Sequence, residues 1–349
     1  MNTNAFDQAQ VQNNSQTSKM GKKKKWLLRG CACCSVITVV SILLLATCIA
    51  CVSYAPSDYT LKTKTGGSIE AKYLAMGSHA VKTITVSAEE PLNMLTVFYP
   101  EDLESNSKKW PIVVQANGTG ALPKKYPAVF KHLASWGFIV IGNDDPSTWS
   151  EESVDKTLDW LLKENEREGS VFFHKVDSAH IGISGHSQGG VGVFNAITEQ
   201  PHGSLYRAAA ALSPTNEELC EALSWTCNLS EIEAPLLMFA GTQSDFETEV
   251  VIPFEVMKNM YSKVNGPKFM MRKTGCHHGE TLYSGDGYVT AWFMWLLQED
   301  KEAAQAFIGE KPELLTNPLY QDQKLDLGSL TLPDEAETEK IGGMENVHK

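Results

Sequence analysis

The segment Ile181-Gly182-Ile183-Ser184-Gly185-His186-Ser187-Gln188-Gly189-Gly190 constrains this chain more than any other. A short apolar run leads into a G-x-S-x-G pentapeptide, and Val191, Phe194 and Ile197 then recur at the spacing of a helix face laid on a sheet. A strand that turns sharply into a helix lifts a serine hydroxyl clear of the sheet edge, and it crowds the positions two before and two after that serine. A residue without Cβ fits there most easily, and Gly185 and Gly189 occupy both places. The bland alternative is a chance pentapeptide. The strand before it and the periodic helix after it weigh against that.

The rest of the body reads as strands alternating with helices. Residues 70–76, 81–87 and 94–99 read as a strand-rich entry, followed by the strand Ile112-Val113-Val114, a helix over Tyr126 to Trp136 and the strand Phe138 to Ile141. A helix runs from Ser150 toward Gly169. After the serine come strands at Arg207 to Leu212, Leu236 to Ala240 and, as the last, Lys268 to Arg272, with helices from about Asp286 to Ile308. This alternation predicts a single α/β domain over residues 56–327: a mostly parallel sheet with helices on both faces and right-handed crossovers.

A nucleophilic serine needs a base, and the base needs an orienting carboxylate. The strand ending at Ala240 runs into Gly241-Thr242-Gln243-Ser244-Asp245, and the strand ending at Arg272 into Gly275-Cys276-His277-His278-Gly279. Both loops lie at the carboxyl edge of the expected sheet, so Ser187, Asp245 and His278 are the expected triad. His278 is preferred to His277 because Gly279 suits a loop that swings the ring toward Ser187. Glu247 is the nearest alternative acid, and Glu217 and Glu218 after the preceding strand are others. An oxyanion site needs two backbone N–H groups. The residue after the serine, Gln188, supplies one. The loop Asn117-Gly118-Thr119-Gly120 supplies the other, assigned to Thr119, although the same residues also read as an ordinary tight turn or, by pattern, a glycosylation sequon.

With Asn117-Gly118-Thr119-Gly120, Leu133-Ala134-Ser135-Trp136-Gly137-Phe138-Ile139-Val140-Ile141 and Gly185-His186-Ser187-Gln188-Gly189-Gly190 in hand, the chain resembles one branch of the α/β-hydrolases over roughly residues 90–300. That branch holds dienelactone hydrolase-like, chlorophyllase-like and polyester hydrolase (cutinase-like) enzymes. The resemblance implies an α/β-hydrolase fold and hydrolysis of carboxylic esters, small, lipid or polymeric, by a serine esterase. It also supports Thr119 as an oxyanion donor and Asp245 as the acid. No metal or organic cofactor is implied. One departure stands out: after Ala211-Leu212-Ser213 the polyester hydrolases place a groove-lining tryptophan, whereas here Pro214 is followed by a longer segment, Thr215 to Glu233. That segment reads either as a cap over the site or as a surface insertion, and Trp149 reads either as a stacking surface for substrate or as a core residue. Two other function classes stay open on the same residues. They are a serine peptidase or acyltransferase, and a membrane-tethered binding module that keeps the fold without the chemistry.

Charge and the N-terminus place the body. Net charge is −12, but residues 1–55 hold six Lys/Arg against Asp7, so the remainder carries 24 basic against 41 acidic residues, a net −17. An acidic body argues against a nucleic-acid partner. Residues 1–29 read as a disordered basic tail. Residues 30–55, without a charge and following Lys22-Lys23-Lys24-Lys25, read as a membrane anchor that leaves the body outside the cytoplasm, or as a signal segment cleaved after Ala55. Five cysteines lie in that segment. In the body, Cys220 and Cys227 flank a short loop and could pair in an oxidising compartment, and Cys276 reads as a buried thiol. Residues 328–349 read as a disordered acidic tail.

Overall fold

The computed structural model describes residues 55–244 and 246–331 of the chain. The expected N-terminal tail and hydrophobic segment, as far as Tyr54, and residues 332–349 of the expected acidic tail lie outside them. Among the described residues, no helix is long and apolar enough to cross a membrane.

The described residues build one nine-stranded sheet. Its strands are β1 (Val81–Ser87), β2 (Met94–Pro100), β3 (Trp110–Ala116), β4 (Ile139–Asn143), β5 (Val176–His186), β6 (Tyr206–Leu212), β7 (Leu236–Gly241), β8 (Lys268–Lys273) and β9 (Tyr320–Asp326), in the order β1-β2-β4-β3-β5-β6-β7-β8-β9. The run β4-β3-β5-β6-β7-β8 is parallel, and β1, β2 and β9 are antiparallel at the two sides. Strands β3 and β4 are buried at every position, as expected where a parallel sheet is covered on both faces. Neighbouring residues of one strand enter opposite cores: Val113, Ala208 and Ala210 face one layer, and Ile112, Ala209 and Ala211 the other. The first layer takes helices Pro127–Ser135 and Asp286–Gln298; the second takes Glu152–Glu166, Gln188–Thr198 and Phe254–Lys263. The four alanines of β6 leave room for a large neighbour. Trp292 uses it, and its indole N–H donates to the Ala209 carbonyl at 3.1 Å.

Three sequence expectations are corrected. The stretch read as a strand over 70–76 is instead the helix Ser68–Leu74. Glu70, Tyr73 and Leu74 share its buried side, and the Glu313 carboxylate accepts from the N–H groups of Ile69 and Glu70 at 2.8 and 2.9 Å. That cap comes from far along the chain, so no local pattern announced it. The strand at Lys268 is also not the last. Polar β9 pairs antiparallel with it through a register shift, and Asp322 there has a φ of 59°. The folded body also continues past residue 327, with Leu330 packed against the first core.

The N-terminal helices, Tyr59–Lys62 and Ser68–Leu74, dock through buried polar groups. Glu70 accepts from Asn317 Nδ2 at 2.7 Å and Tyr320 Oη at 2.6 Å, and the Tyr59 hydroxyl donates to Asp286. Asp286 also has His132 Nδ1 at 3.7 Å. Burial pushes the Asp286 carboxyl up to about 7 and the His132 imidazole down to about 4. The raised carboxyl contributes stability that is whole below its ordinary 3.8 and is lost as pH rises through about 7. The lowered imidazole contributes stability that is whole above its ordinary 6.5 and is lost as pH falls through about 4. Between those limits the two slopes oppose one another. Asp286→Asn removes the first and leaves the second. Thermal melts of that variant are expected to lose several degrees more than wild type between pH 7 and pH 4; parallel melting curves would refute the offset.

Candidate active site

Strand β5 ends at His186 and the next helix begins at Gln188, so Ser187 alone makes the turn, with φ 60° and ψ −120°. The backbone crowds this corner. A Cβ on Gly185 would stand 2.1 Å from the Gly189 carbonyl oxygen, and one on Gly189 would stand 2.2 Å from that of Ala116. Neither position accepts a side chain without moving the sheet, which is the physical content of the pentapeptide. Ser187 N–H donates to the Leu212 carbonyl at 2.9 Å, leaving the half-buried hydroxyl at the carboxyl edge.

The loop after β8 brings His278, buried, over that hydroxyl: Nε2 is 3.0 Å from Ser187 Oγ. Its Nδ1 is 2.7 Å from Glu247 Oε2. The carboxylate on the histidine is therefore Glu247, on a π-helical turn over Glu247–Val251, in the place expected of Asp245. Asp245 lies outside the described residues. The distance of Glu247 from the strand end, which ranked it second by sequence, is spanned by the turn, and its longer side chain returns under β7. Glu217 and Glu218 point elsewhere: Glu217 pairs with Lys263 at 2.8 Å, and both line a cleft with Glu221 and Glu255. His277 is nearly half exposed, 3.6 Å from Glu280.

The other oxygen of Glu247 is also saturated, accepting from Ser213 Oγ at 2.6 Å and Gly241 N–H at 2.7 Å. Burial pushes this carboxyl up, but the His278 hydrogen bond and charge, then Ser213 and Gly241, outweigh burial and hold it below the usual range. Ser213, with φ 44°, was not foreseen, and nothing in its sequence surroundings marks it. Ser213→Ala removes a donor to a buried anion. It is expected to shift the acid limb of the pH–activity profile upward by about one unit. An unmoved limb with lower activity throughout would instead mean general loosening.

His186 supports the same loop. Its Nε2 is 2.8 Å from the His278 carbonyl, which can only accept, so Nε2 carries the ring proton. Its Nδ1 is buried without a partner among the described residues. Burial, then the charge on His278, pushes this imidazole down to about 3, so it adds no charge beside the site at neutral pH. The two rings lie 4.6 Å apart. Thr281 Oγ1 closes the network, 2.6 Å from the His278 carbonyl and 2.7 Å from Ser213 Oγ.

The loop expected to carry an oxyanion donor crosses the elbow. A Cβ on Gly118 would lie 3.6 Å from Ser187 Cβ, and a turn closed by Ala121 N–H on the Gly118 carbonyl, 3.0 Å, holds Thr119 next in line. Asn117 is not exposed. Its amide donates to the carbonyls of Asn143 and Asp145, and its side-chain oxygen accepts from Tyr126. A sugar has no room there. Gln188 opens the helix, where the first N–H groups have no helical partner, and its side chain reaches the Pro146 carbonyl at 2.5 Å.

A strand–serine–helix elbow on a mostly parallel sheet, with a carboxylate and a histidine following in chain order after β7 and β8, fits an α/β-hydrolase fold. The chain belongs to the PET hydrolase-like family, whose model matches residues 62–322. Among curated proteins it is similar to cutinase est2 of Thermobifida alba, with 24% identity over 222 residues. That match covers 60% of this chain and 66%, just under two thirds, of the relative.

Proposed function

We propose that the chain is a serine hydrolase of carboxylic esters that works through an acyl-enzyme. The observation that carries this reading is the continuous relay Ser187 Oγ, His278 Nε2, His278 Nδ1, Glu247 Oε2, at 3.0 and 2.7 Å. His278 takes the serine proton as Oγ attacks the ester carbonyl, and Glu247 stabilises the imidazolium that forms. The backbone N–H groups of Gln188 and Thr119 receive the oxyanion. His278 then protonates the leaving alcohol, and water repeats the cycle on the acyl group. The family, with the name of the cutinase relative, favours esters over peptides. The relay disfavours a binding module without chemistry.

The substrate groove differs from that of a polyester hydrolase as read from the sequence. Thr215 to Glu233 replaces the expected tryptophan, and this segment contributes Trp225, stacked on Trp149 at 5.4 Å and 10° between planes. Soluble esters therefore fit this reading at least as well as polymers. The body is proposed to act outside the cytoplasm, tethered by the lysine-flanked hydrophobic segment or released from it.

A fluorophosphonate probe on the full chain tests the reading, together with nitrophenyl esters of increasing chain length and matched peptide substrates. Covalent labelling at Ser187 with ester turnover is expected. A folded chain that takes no label would overturn the proposal, and peptide turnover in preference to ester turnover would move it to the peptidases.

A further inference from the structure

The segment between β6 and β7 connects two parts of the site. At its start, Asn216 caps the helix Glu217–Leu223 by accepting from Leu219 N–H at 3.0 Å. The Asn216 amide donates to the carbonyls of Val250 and Val251, both at 2.8 Å, on the turn that carries Glu247. The helix stops at Ser224, whose φ of 60° reverses the chain, and Trp225 N–H folds back on the Cys220 carbonyl at 2.8 Å. On the return path, the Asn195 amide of the helix after Ser187 donates to the Thr226 carbonyl at 2.9 Å and the Trp149 carbonyl at 3.0 Å. One short reversal thus ties the acid-bearing turn to the nucleophile-bearing helix.

Two cysteines face each other across that reversal. Cys220 is buried on the helix, its Sγ 3.6 Å from the Thr215 carbonyl, and Cys227 is half-buried on the return, where its neighbouring thiol pushes the Cys220 thiol up; both are free thiols. We propose that Cys220 and Cys227 are a redox modification site, joined in the mature protein as a disulfide that staples this reversal and holds Trp225 on Trp149. Cys227, the more accessible, exchanges first with a small or protein disulfide and releases one thiol. The Cys220 sulfur then displaces the second thiol. Two electrons and two protons leave the pair and the oxidant is reduced to two thiols. The contact with Cys227, then burial, holds the Cys220 thiol protonated, so exchange is expected to be faster at mildly alkaline pH. Cys276, buried behind the His278 loop and 3.0 Å from Ser284 Oγ, has no sulfur partner among the described residues and serves as the internal control.

The full chain, reduced and then equilibrated with oxidised glutathione at mildly alkaline pH, is blocked with iodoacetamide and cut after glutamate. Cleavage at Glu218, Glu221 and Glu231 separates Leu219–Glu221 from Ala222–Glu231. The expected result is that these peptides stay joined and two hydrogens lighter, while Cys276 carries the alkyl group. The oxidised chain should melt about 5 °C above the reduced one, and Cys220→Ser/Cys227→Ser should abolish that difference. Separate alkylated peptides, or pairing of either cysteine with another, would overturn the bond. A joined pair with no melting difference would overturn its role as a staple. These readouts involve no substrate, so they stand or fall apart from the hydrolase reading.

Discussion

Glu247→Gln is expected to lower kcat/KM on a nitrophenyl ester about ten-thousand-fold, with the fold and KM little changed. Glutamine keeps the shape and can still accept from Gly241 N–H on its carbonyl oxygen. What it presents to His278 Nδ1 is then an amide N–H, which forces Nδ1 to accept and moves the ring proton to Nε2. An imidazole protonated there cannot take the proton of Ser187, 3.0 Å away. The control is Asp245→Asn, expected to stay within about tenfold of wild type because the position on Nδ1 is already filled at 2.7 Å. Steady-state kinetics on both variants decide the matter. The opposite ranking would return the acid role to Asp245.

Ser187→Ala is expected to reduce kcat about a million-fold and to abolish fluorophosphonate labelling. Alanine keeps the Cβ that the turn already accommodates at φ 60°, and the Ser187 N–H to Leu212 contact is backbone, so the melting temperature should move by only a few degrees. Loss of activity with an unchanged melt separates chemistry from folding. Retention of more than about a hundredth of the activity would place the nucleophile elsewhere.

The elbow was legible because its constraint is local. Gly185 and Gly189 sit where the sequence required glycine, and the backbone distances explain why. The strands around it were legible for a similar reason: β3, β4 and β7 are buried along their whole length and are therefore spelled as largely apolar runs. His278 could be preferred to His277 from one neighbouring glycine. The helix over Ser68–Leu74 and strand β9 were not legible. Each owes its state to a distant partner, Glu313 in one case and the open edge of β8 in the other.

The acid marks the boundary between the two kinds of information. The sequence alone put the favoured carboxylate after β7, with Glu217 and Glu218 after β6 left open, and set it beside Ser187 and a histidine after β8, because strand order and edge position are written in periodicity. Which carboxylate reaches the imidazole depends on a π-helical turn, on Ser213 arriving from the neighbouring strand and on the Gly241 N–H, all within 2.7 Å of Glu247 Oε1 or forming its path. Those contacts reach back 34 and six residues along the chain. Only tertiary structure could decide them, because a buried anion goes where donors converge, and convergence is not a local property of the chain.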